Sequence, residues 1–267
     1  MNKKRVVFCT YPSLYSSLVL KNLLADDAIE VVGIIRSTRV LNPKYNAMVA
    51  HLKQIKLTGW RYSTYLFFVT DVFAVLSFFS ANKKLKTISS TAKQQGIPVY
   101  DTVDINLPEV VDFIINNQVD VLLAAHFNQL IKAPVFDINN LKFLNIHPSL
   151  LPAYKGVDPV FYALLNDEDK VGVSVHEMKE TFDTGDIHAQ KGFSCTGYNS
   201  VFSHNCQLFE TGAELAIDVI KEGMNKGHKQ DEGNYDSWPN VKLVKALKKK
   251  SYSLISLRDY FNKIFSA

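Results

Sequence analysis

Asn145 and His147 stand two residues apart in the stretch LKFLNIHPSLLPAYKG, residues 141–156. In extended chain, side chains two apart point to the same side, so an amide and an imidazole share one face there. Pro148 follows at once and stops regular pairing, which sets the pair at a strand end. An amide can donate to an oxygen that gains negative charge, and an imidazole with a pKa of about 6.5 can exchange a proton near neutrality. Together they suit acyl transfer. A carboxylate, Asp183, lies in the turn of VHEMKETFDTGDI, residues 175–187. Each also has a plainer reading. Amides and imidazoles at strand ends often serve neighbouring backbone groups, and Asp183 or Asp186 fits an Asx-turn.

Other chemistry finds less support. There is no G-x-G-x-x-G and no Walker A sequence, which leaves dinucleotide and P-loop readings without a basis. Gly172-Val173-Ser174-Val175-His176 begins like a nucleophile elbow but lacks the second glycine, and Ser174 falls inside a predicted strand. His176-Glu177-Met178-Lys179-Glu180 begins like a zinc-protease helix but lacks the second histidine. Cys9, Cys195 and Cys206 match neither a zinc module nor a disulfide framework. No metal is expected, and a reducing cytoplasm is the simplest compartment.

The elements that must position these residues come from periodicity. RVVFCT from Arg5, a helical spacing over 14–24 and IEVVGIIR from Ile29 make a β-α-β opening. Strands are predicted at 97–100, 119–125 and 141–146, with a helix over 107–117 that carries Pro108 near its start. Residues 171–178 and 187–193 read as paired strands, and 200–221 as an amphipathic helix. The fold class is therefore α/β: a doubly wound, mostly parallel Rossmann-like sheet with helices on both faces. A helical insertion covers about 41–90. The predicted domains are 1–235, an α/β catalytic domain, and 236–267, a basic, helical C-terminal tail.

The net charge of +4 is unevenly placed. From Val241 onward there are seven Lys or Arg and one acid, Asp259, whereas residues 1–240 carry 23 basic and 25 acidic side chains. The body is thus no nucleic-acid surface, and the tail suits phosphates, an anionic membrane or plain solvation. Residues 65–79, YLFFVTDVFAVLSFF, are almost wholly apolar but too short to span a bilayer comfortably. The polar positions Ser63, Thr70, Asp71 and Ser77 would form one narrow stripe on a helix. The commoner cause of that pattern is a helix packed on the core or on a second subunit of a homodimer. The other is an interfacial helix, which with the basic tail would hold the protein peripherally at the inner face of a membrane.

The order Asn-x-His-Pro-Ser-Leu-Leu-Pro, then Lys-Gly, then a strand with histidine, then Asp-Thr-Gly-Asp-Ile, closely resembles the folate-dependent formyltransferases. That family includes methionyl-tRNA formyltransferase, glycinamide ribonucleotide transformylase, the sugar N-formyltransferases and formyltetrahydrofolate hydrolase. The resemblance covers roughly 119–220 and implies an enzyme with 10-formyltetrahydrofolate as co-substrate. It places the catalytic roles on Asn145, His147 and Asp183. It implies a pterin loop at Phe127, Asn128, Gln129, Leu130 and Ile131, which acts largely through main chain, and a second folate wall at Glu180, Thr181 and Phe182. His126 and His176 are candidates for supporting positions.

The acceptor implied is a small-molecule amine, such as an amino sugar. The purine enzyme holds a ribonucleotide phosphate in a glycine-rich turn after its first strand, and here that turn reads Cys9-Thr10-Tyr11-Pro12-Ser13-Leu14. The tRNA enzyme carries a C-terminal barrel, and about forty residues after the long helix are too few for one. Activity on methionyl-tRNA without that barrel, hydrolysis of formyltetrahydrofolate by the same three residues, and a folate-binding or membrane-recruited regulator are the alternatives.

Overall fold

The computed structural model describes residues 3–39, 47–79, 85–197 and 199–265. Strand β1 (Lys4–Thr10) leads through α1 (Leu14–Ala25) to β2 (Ile29–Ser37). The insertion comes next as α2 (Ala47–Phe67), a π-helical turn (Phe68–Val72), α3 (Phe73–Phe79) and α4 (Ile88–Gln95). Then come β3 (Val99–Thr102), α5 (Pro108–Asn116), β4 (Val121–Ala125), β5 (Lys142–His147) and the short β6 (Lys155–Gly156). The chain continues as α6 (Pro159–Leu165), β7 (Lys170–Glu177), β8 (Ile187–Ser194) and α7 (Val201–Lys221). It ends with β9 (Tyr235–Asp236), α8 (Val241–Lys249) and α9 (Leu257–Phe265).

Seven strands form one sheet in the order β3-β2-β1-β4-β5-β7-β8, parallel through β5 and antiparallel at β7 and β8. Side chains alternate across it, as the pleat requires. Val6 and Phe8 enter the larger core with α1 and α7, while Val7 and Cys9 enter a smaller one with Val110 and Ile114 of α5. Both faces are covered, so the strands read as nearly continuous apolar runs. The strand order reverses between β1 and β4, and such sheets bind ligands beyond the carboxyl ends of the strands. His147 ends β5 on that side.

One expectation for the insertion changes. The positions 41–46 and 80–84 lie outside the described residues. In 62–77 the buried face is Tyr62, Tyr65, Val69, Phe73 and Ser77. Ser77 therefore points inward, and the proposed polar stripe does not hold together. The physical reason is the π-helical turn, which adds a residue to one turn and rotates the helix beyond it. Phe73 is buried, Phe68 packs partly on the core and Phe67 is exposed, whereas the side chain of Phe78 lies outside the described residues. No helix among the described residues is long and apolar enough to cross a membrane. The basic C-terminal segment is helical and reaches the main core with Val244, Leu247, Tyr260 and Ile264.

Candidate functional site

The site begins with strand register. Antiparallel pairing sets Asn145 of β5 opposite His176 of β7, and His147 opposite Ser174. Directly opposed side chains meet, and the Asn145 Nδ2 donates to His176 Nε2 at 3.1 Å. That contact leaves His176 with its proton on Nδ1, where the Glu177 carbonyl accepts it at 2.6 Å. Beyond β7 the chain turns back to β8 through Asp183, whose φ of 55° is left-handed backbone that aspartate tolerates better than most residues. Gly185 makes the return possible. A Cβ there would lie 1.8 Å from the Glu177 carbonyl oxygen, so no larger residue fits without moving the backbone.

Asp183 is where the three residues converge. Its Oδ1 lies 3.4 Å from His147 Nδ1, 3.6 Å from His176 Nε2 and 3.5 Å from Asn145 Nδ2. Its Oδ2 accepts the Gly156 amide at 2.9 Å. Burial on its own would raise this carboxyl, but the imidazole of His147, then His176 and the Gly156 amide, outweigh it and hold the pKa at about 2. Asp183 is thus a fixed negative charge at neutral pH. Burial also pushes the His147 imidazole below its ordinary 6.5, against the pull of Asp183 and the Tyr154 carbonyl. The Tyr154 carbonyl only accepts, so its 2.9 Å contact sets the His147 proton on Nε2. Nδ1 then faces a carboxylate at 3.4 Å with room for one more proton.

The segment 154–158 completes the arrangement. Tyr154, Gly156 and Asp158 all have positive φ, at 56°, 94° and 48°. The carbonyl of Tyr154 orients His147, and the amide of Gly156 binds Asp183. At Gly156 a Cβ would sit 2.3 Å from the Asp236 carbonyl oxygen, which requires glycine on steric grounds as well. Asp158 turns away from the site and accepts from Tyr62 of α2 at 2.8 Å. In the sequence, Lys155-Gly156 stands out only as part of a motif. The one local signal there is a glycine beside a polar strand end.

The predicted folate residues divide into anchors and exposed groups. Gln129 is buried and structural: its Oε1 accepts the Ile105 amide at 2.6 Å, and its Nε2 donates to Ser37 Oγ at 2.8 Å and the Thr102 carbonyl at 3.1 Å. Asn128 accepts from Ser37 Oγ at 2.6 Å and donates to the Arg39 carbonyl. Ile131 is buried in the smaller core, with Phe127 packed against it. Leu130 is half-buried. Among the described residues the amides of 127–131 donate to no group. Glu180, Thr181 and Phe182 are exposed ahead of the buried Asp183.

Of the other sequence candidates, Ser174 is a tie, not a nucleophile. It donates to the Ser149 carbonyl and accepts from the Leu151 amide and Gln190, and so holds the loop after β5. His126 has a φ of 50° and sits against Tyr15 and Phe209, with Nδ1 on the Tyr11 carbonyl at 3.3 Å. Burial lowers its pKa. Among the described residues no group of three or more His, Cys, Asp or Glu is arranged to hold a metal ion.

Comparison with known proteins adds the lineage. Residues 69–220 match the family model described as formyl transferase. Methionyl-tRNA formyltransferase of Thermotoga maritima is 28% identical over 158 residues, which is 58% of this chain and 50% of that protein. The enzyme of the same name from Citrifermentans bemidjiense is 30% identical over 54% of this chain and 46% of its own. The chain spans about half the length of the curated relatives it matches. Among solved structures, a sugar N-formyltransferase from Shewanella sp superposes with a TM-score of 0.55 at 17% identity, over 97% of this chain and 86% of that one. Glycinamide ribonucleotide transformylase 1 from Symbiobacterium toebii gives 0.56 at 16% identity, over 86% and 95%. The sugar 3N-formyl transferase WlaRD, solved with dTDP and 5-N-formyl-THF, gives 0.57 at 16%, over 96% and 84%. At these identities the likeness is one of fold.

Proposed function

The chain belongs to the formyl transferase family, and from that premise we propose that it transfers the formyl group of 10-formyltetrahydrofolate to the amine of a small acceptor. The observation that carries this reading is the convergence of Asn145, His147 and His176 on the buried, ionised Asp183. The amine nitrogen attacks the formyl carbon, the C–N bond to the folate then breaks, and the proton lost by the amine ends on the departing folate nitrogen. Asn145 serves the oxyanion. One Nδ2 hydrogen is held by His176 at 3.1 Å, and the other, on the long 3.5 Å contact to Asp183, is the one available to the formyl oxygen. Removing such a donor costs about two to three orders of magnitude in rate. His147 is the proton carrier: it is neutral at pH 7, and a proton on Nδ1 would lie between the ring and Asp183.

In this reading folate lies between the 127–131 loop and the 180–182 segment. The uncommitted amides of 127–131 supply donors for a flat heterocycle with polar edges, and Phe182 supplies an exposed ring. Gln129 and Ile131 shape that loop from beneath.

For the acceptor, the turn after β1 argues against a ribonucleotide phosphate. The Tyr11 amide donates to the His126 carbonyl, and Ser13 and Ser16 cap each other's amides through a capping box. The amides of Tyr11, Ser13 and Ser16, which would help to cradle a phosphate at the start of α1, are already used. Tyr65 of the insertion bonds Tyr15 at 2.8 Å over the same place. An amino sugar is the acceptor class we favour. The test incubates the protein with 10-formyltetrahydrofolate and, separately, amino-sugar nucleotides, methionyl-tRNA, glycinamide ribonucleotide or buffer, and monitors tetrahydrofolate and formylated product. Release of tetrahydrofolate in buffer at the full rate would identify water as the acceptor and overturn transfer.

A further inference from the structure

The insertion leaves an apolar surface uncovered. Among the described side chains, the first half of α2 buries only Ala50, Gln54 and Thr58, spaced four apart along one edge. Met48, Leu52 and Ile55 lie on a single helical face away from that edge, with Met48 70% and Leu52 61% exposed. Leu57 is also exposed, and Trp60, just past the kink at Gly59, is 68% exposed. Contiguous apolar exposure of this kind marks an interaction surface.

Charge says which kind. No Asp or Glu occurs from Val31 to Thr70 or from Ser237 to Arg258. Packing brings these two stretches together, since a Cβ on Gly59 would lie 2.9 Å from Val241 of α8. Lys56, Arg61, Lys242, Lys245, Lys248 and Lys249 are all exposed, and none pairs with a carboxylate among the described residues. Between the two elements opens a cleft of about 420 Å³, with Trp60, Tyr65, Val244 and Leu247 among its walls and Arg61 and Lys248 beside them. An acyl chain suits such walls, and a phosphate suits such a pair of cations.

We propose that this face, the Met48–Trp60 side of α2 with the lysines of α8, docks on an anionic lipid bilayer. Aliphatic side chains and an exposed tryptophan enter the headgroup boundary, and the lysines meet lipid phosphates. RNA would use the cations but has no use for Met48, Leu52 and Ile55. A second copy docked on the same face would set cation against cation with no acid to compensate. Of these three occupants, the anionic surface with an apolar interior is the one that matches both features. The sequence reading set this contact along 65–79; Tyr65, Val69 and Phe73 of that segment are buried, and the exposed apolar side chains used here lie ahead of it, at 48–60.

The test is flotation of the full chain with vesicles of phosphatidylcholine alone or with about 30% phosphatidylglycerol, at low and physiological salt. Binding is expected only with the anionic lipid and weaker with salt. Converting Lys242, Lys245, Lys248 and Lys249 to Gln should weaken it at least about tenfold, and Leu52→Ser with Trp60→Ser should do the same. These positions are exposed, and an unchanged melting curve verifies folding. In a Trp238→Phe background the emission of Trp60 should shift to the blue on anionic vesicles alone. No anionic-lipid binding at low salt overturns the proposal. So does binding to neutral vesicles that ignores the lysine substitutions. So does tight RNA binding without vesicle binding, or a dimer broken by Leu52→Ser with no effect on vesicles.

Discussion

Asp183 and Asp158 flank one short segment, both in left-handed backbone, and their carboxyls move in opposite directions. Two imidazoles and a backbone amide surround Asp183 and hold it at about 2. Asp158 sits among protein atoms with neutral donors only, Tyr62, Asn205 and the Phe161 amide, and burial raises it to about 6. Neutral hydroxyls and amides reduce the cost of an enclosed charge, but they do not cancel it as a protonated imidazole does at the low pH where Asp183 titrates. The first region is therefore built to keep a charge at neutral pH and the second to hold one loosely. The first lies at the strand ends that carry the proposed catalytic groups, and the second joins the insertion to α6.

The comparison breaks most sharply at Asp183. Asp183→Asn removes the charge but keeps the shape, and His147→Ala and Asn145→Ala remove the groups it orders. Each should lower turnover by about two orders of magnitude or more with the fold intact. A folded His147→Ala protein at near-normal turnover would refute the mechanism. The acid limb of kcat/KM should lie below pH 6.5, because burial lowers His147 and its neutral form carries the proton. For stability the sign is the depressed-carboxyl one. The contribution of Asp183, about 2 kcal/mol from 3.8 down to about 2, is complete above pH 3.8 and is lost as pH falls through about 2.

A smaller effect on turnover is expected from Gly185→Ala. The new Cβ would meet the Glu177 carbonyl oxygen at 1.8 Å, and the turn must shift to accept it. Overpacking of this kind costs about 1–3 kcal/mol in stability. Because the turn carries Asp183, activity should fall about tenfold as the His147–Asp183 distance grows. Denaturant unfolding and steady-state rates measured on one preparation would test both. An unchanged rate would mean that the turn does not position the carboxylate.

The same contrast shows what a sequence discloses. The Asn145–His147 pair is legible because a strand has period two, and the fold class because apolar runs alternate with helical spacing. Asp183 is legible through resemblance, since an isolated turn aspartate says little by itself. The Asp158 region is not legible. Its contacts join residues 62 to 158, 65 to 205 and 15 to 65, and no local pattern encodes such pairs. The π-helical turn is hidden as well, and it is enough to carry Ser77 from the predicted outer stripe to the inside. Gln129 shows a third limit. Its place in the proposed folate loop can be read, but its three anchoring bonds to Ile105, Ser37 and Thr102 cannot.

The gentlest test for turnover is Asp158→Asn. A carboxyl raised from 3.8 to about 6 binds its proton more tightly in the folded protein. Its favourable contribution is therefore complete below pH 3.8 and declines as pH rises through about 6. The difference is at most about 3 kcal/mol, and solvent reaching this half-buried residue should leave about 1–2 kcal/mol to observe. Asparagine does not titrate, so Asp158→Asn should abolish this part of the pH dependence and leave the protein no less stable at pH 7.5 than the parent. Tyr62 can reverse its hydroxyl to accept from the new amide, which limits the loss of hydrogen bonding. Turnover should change by less than about threefold, because Asp158 contacts α2 and α7 and not the imidazoles. Urea unfolding at pH 5 and pH 7.5 for both proteins measures the slope. If the slope survives in Asp158→Asn, the titrating group is another one. If turnover instead collapses as it does in Asp183→Asn, the two regions are a single site and the division drawn between them fails.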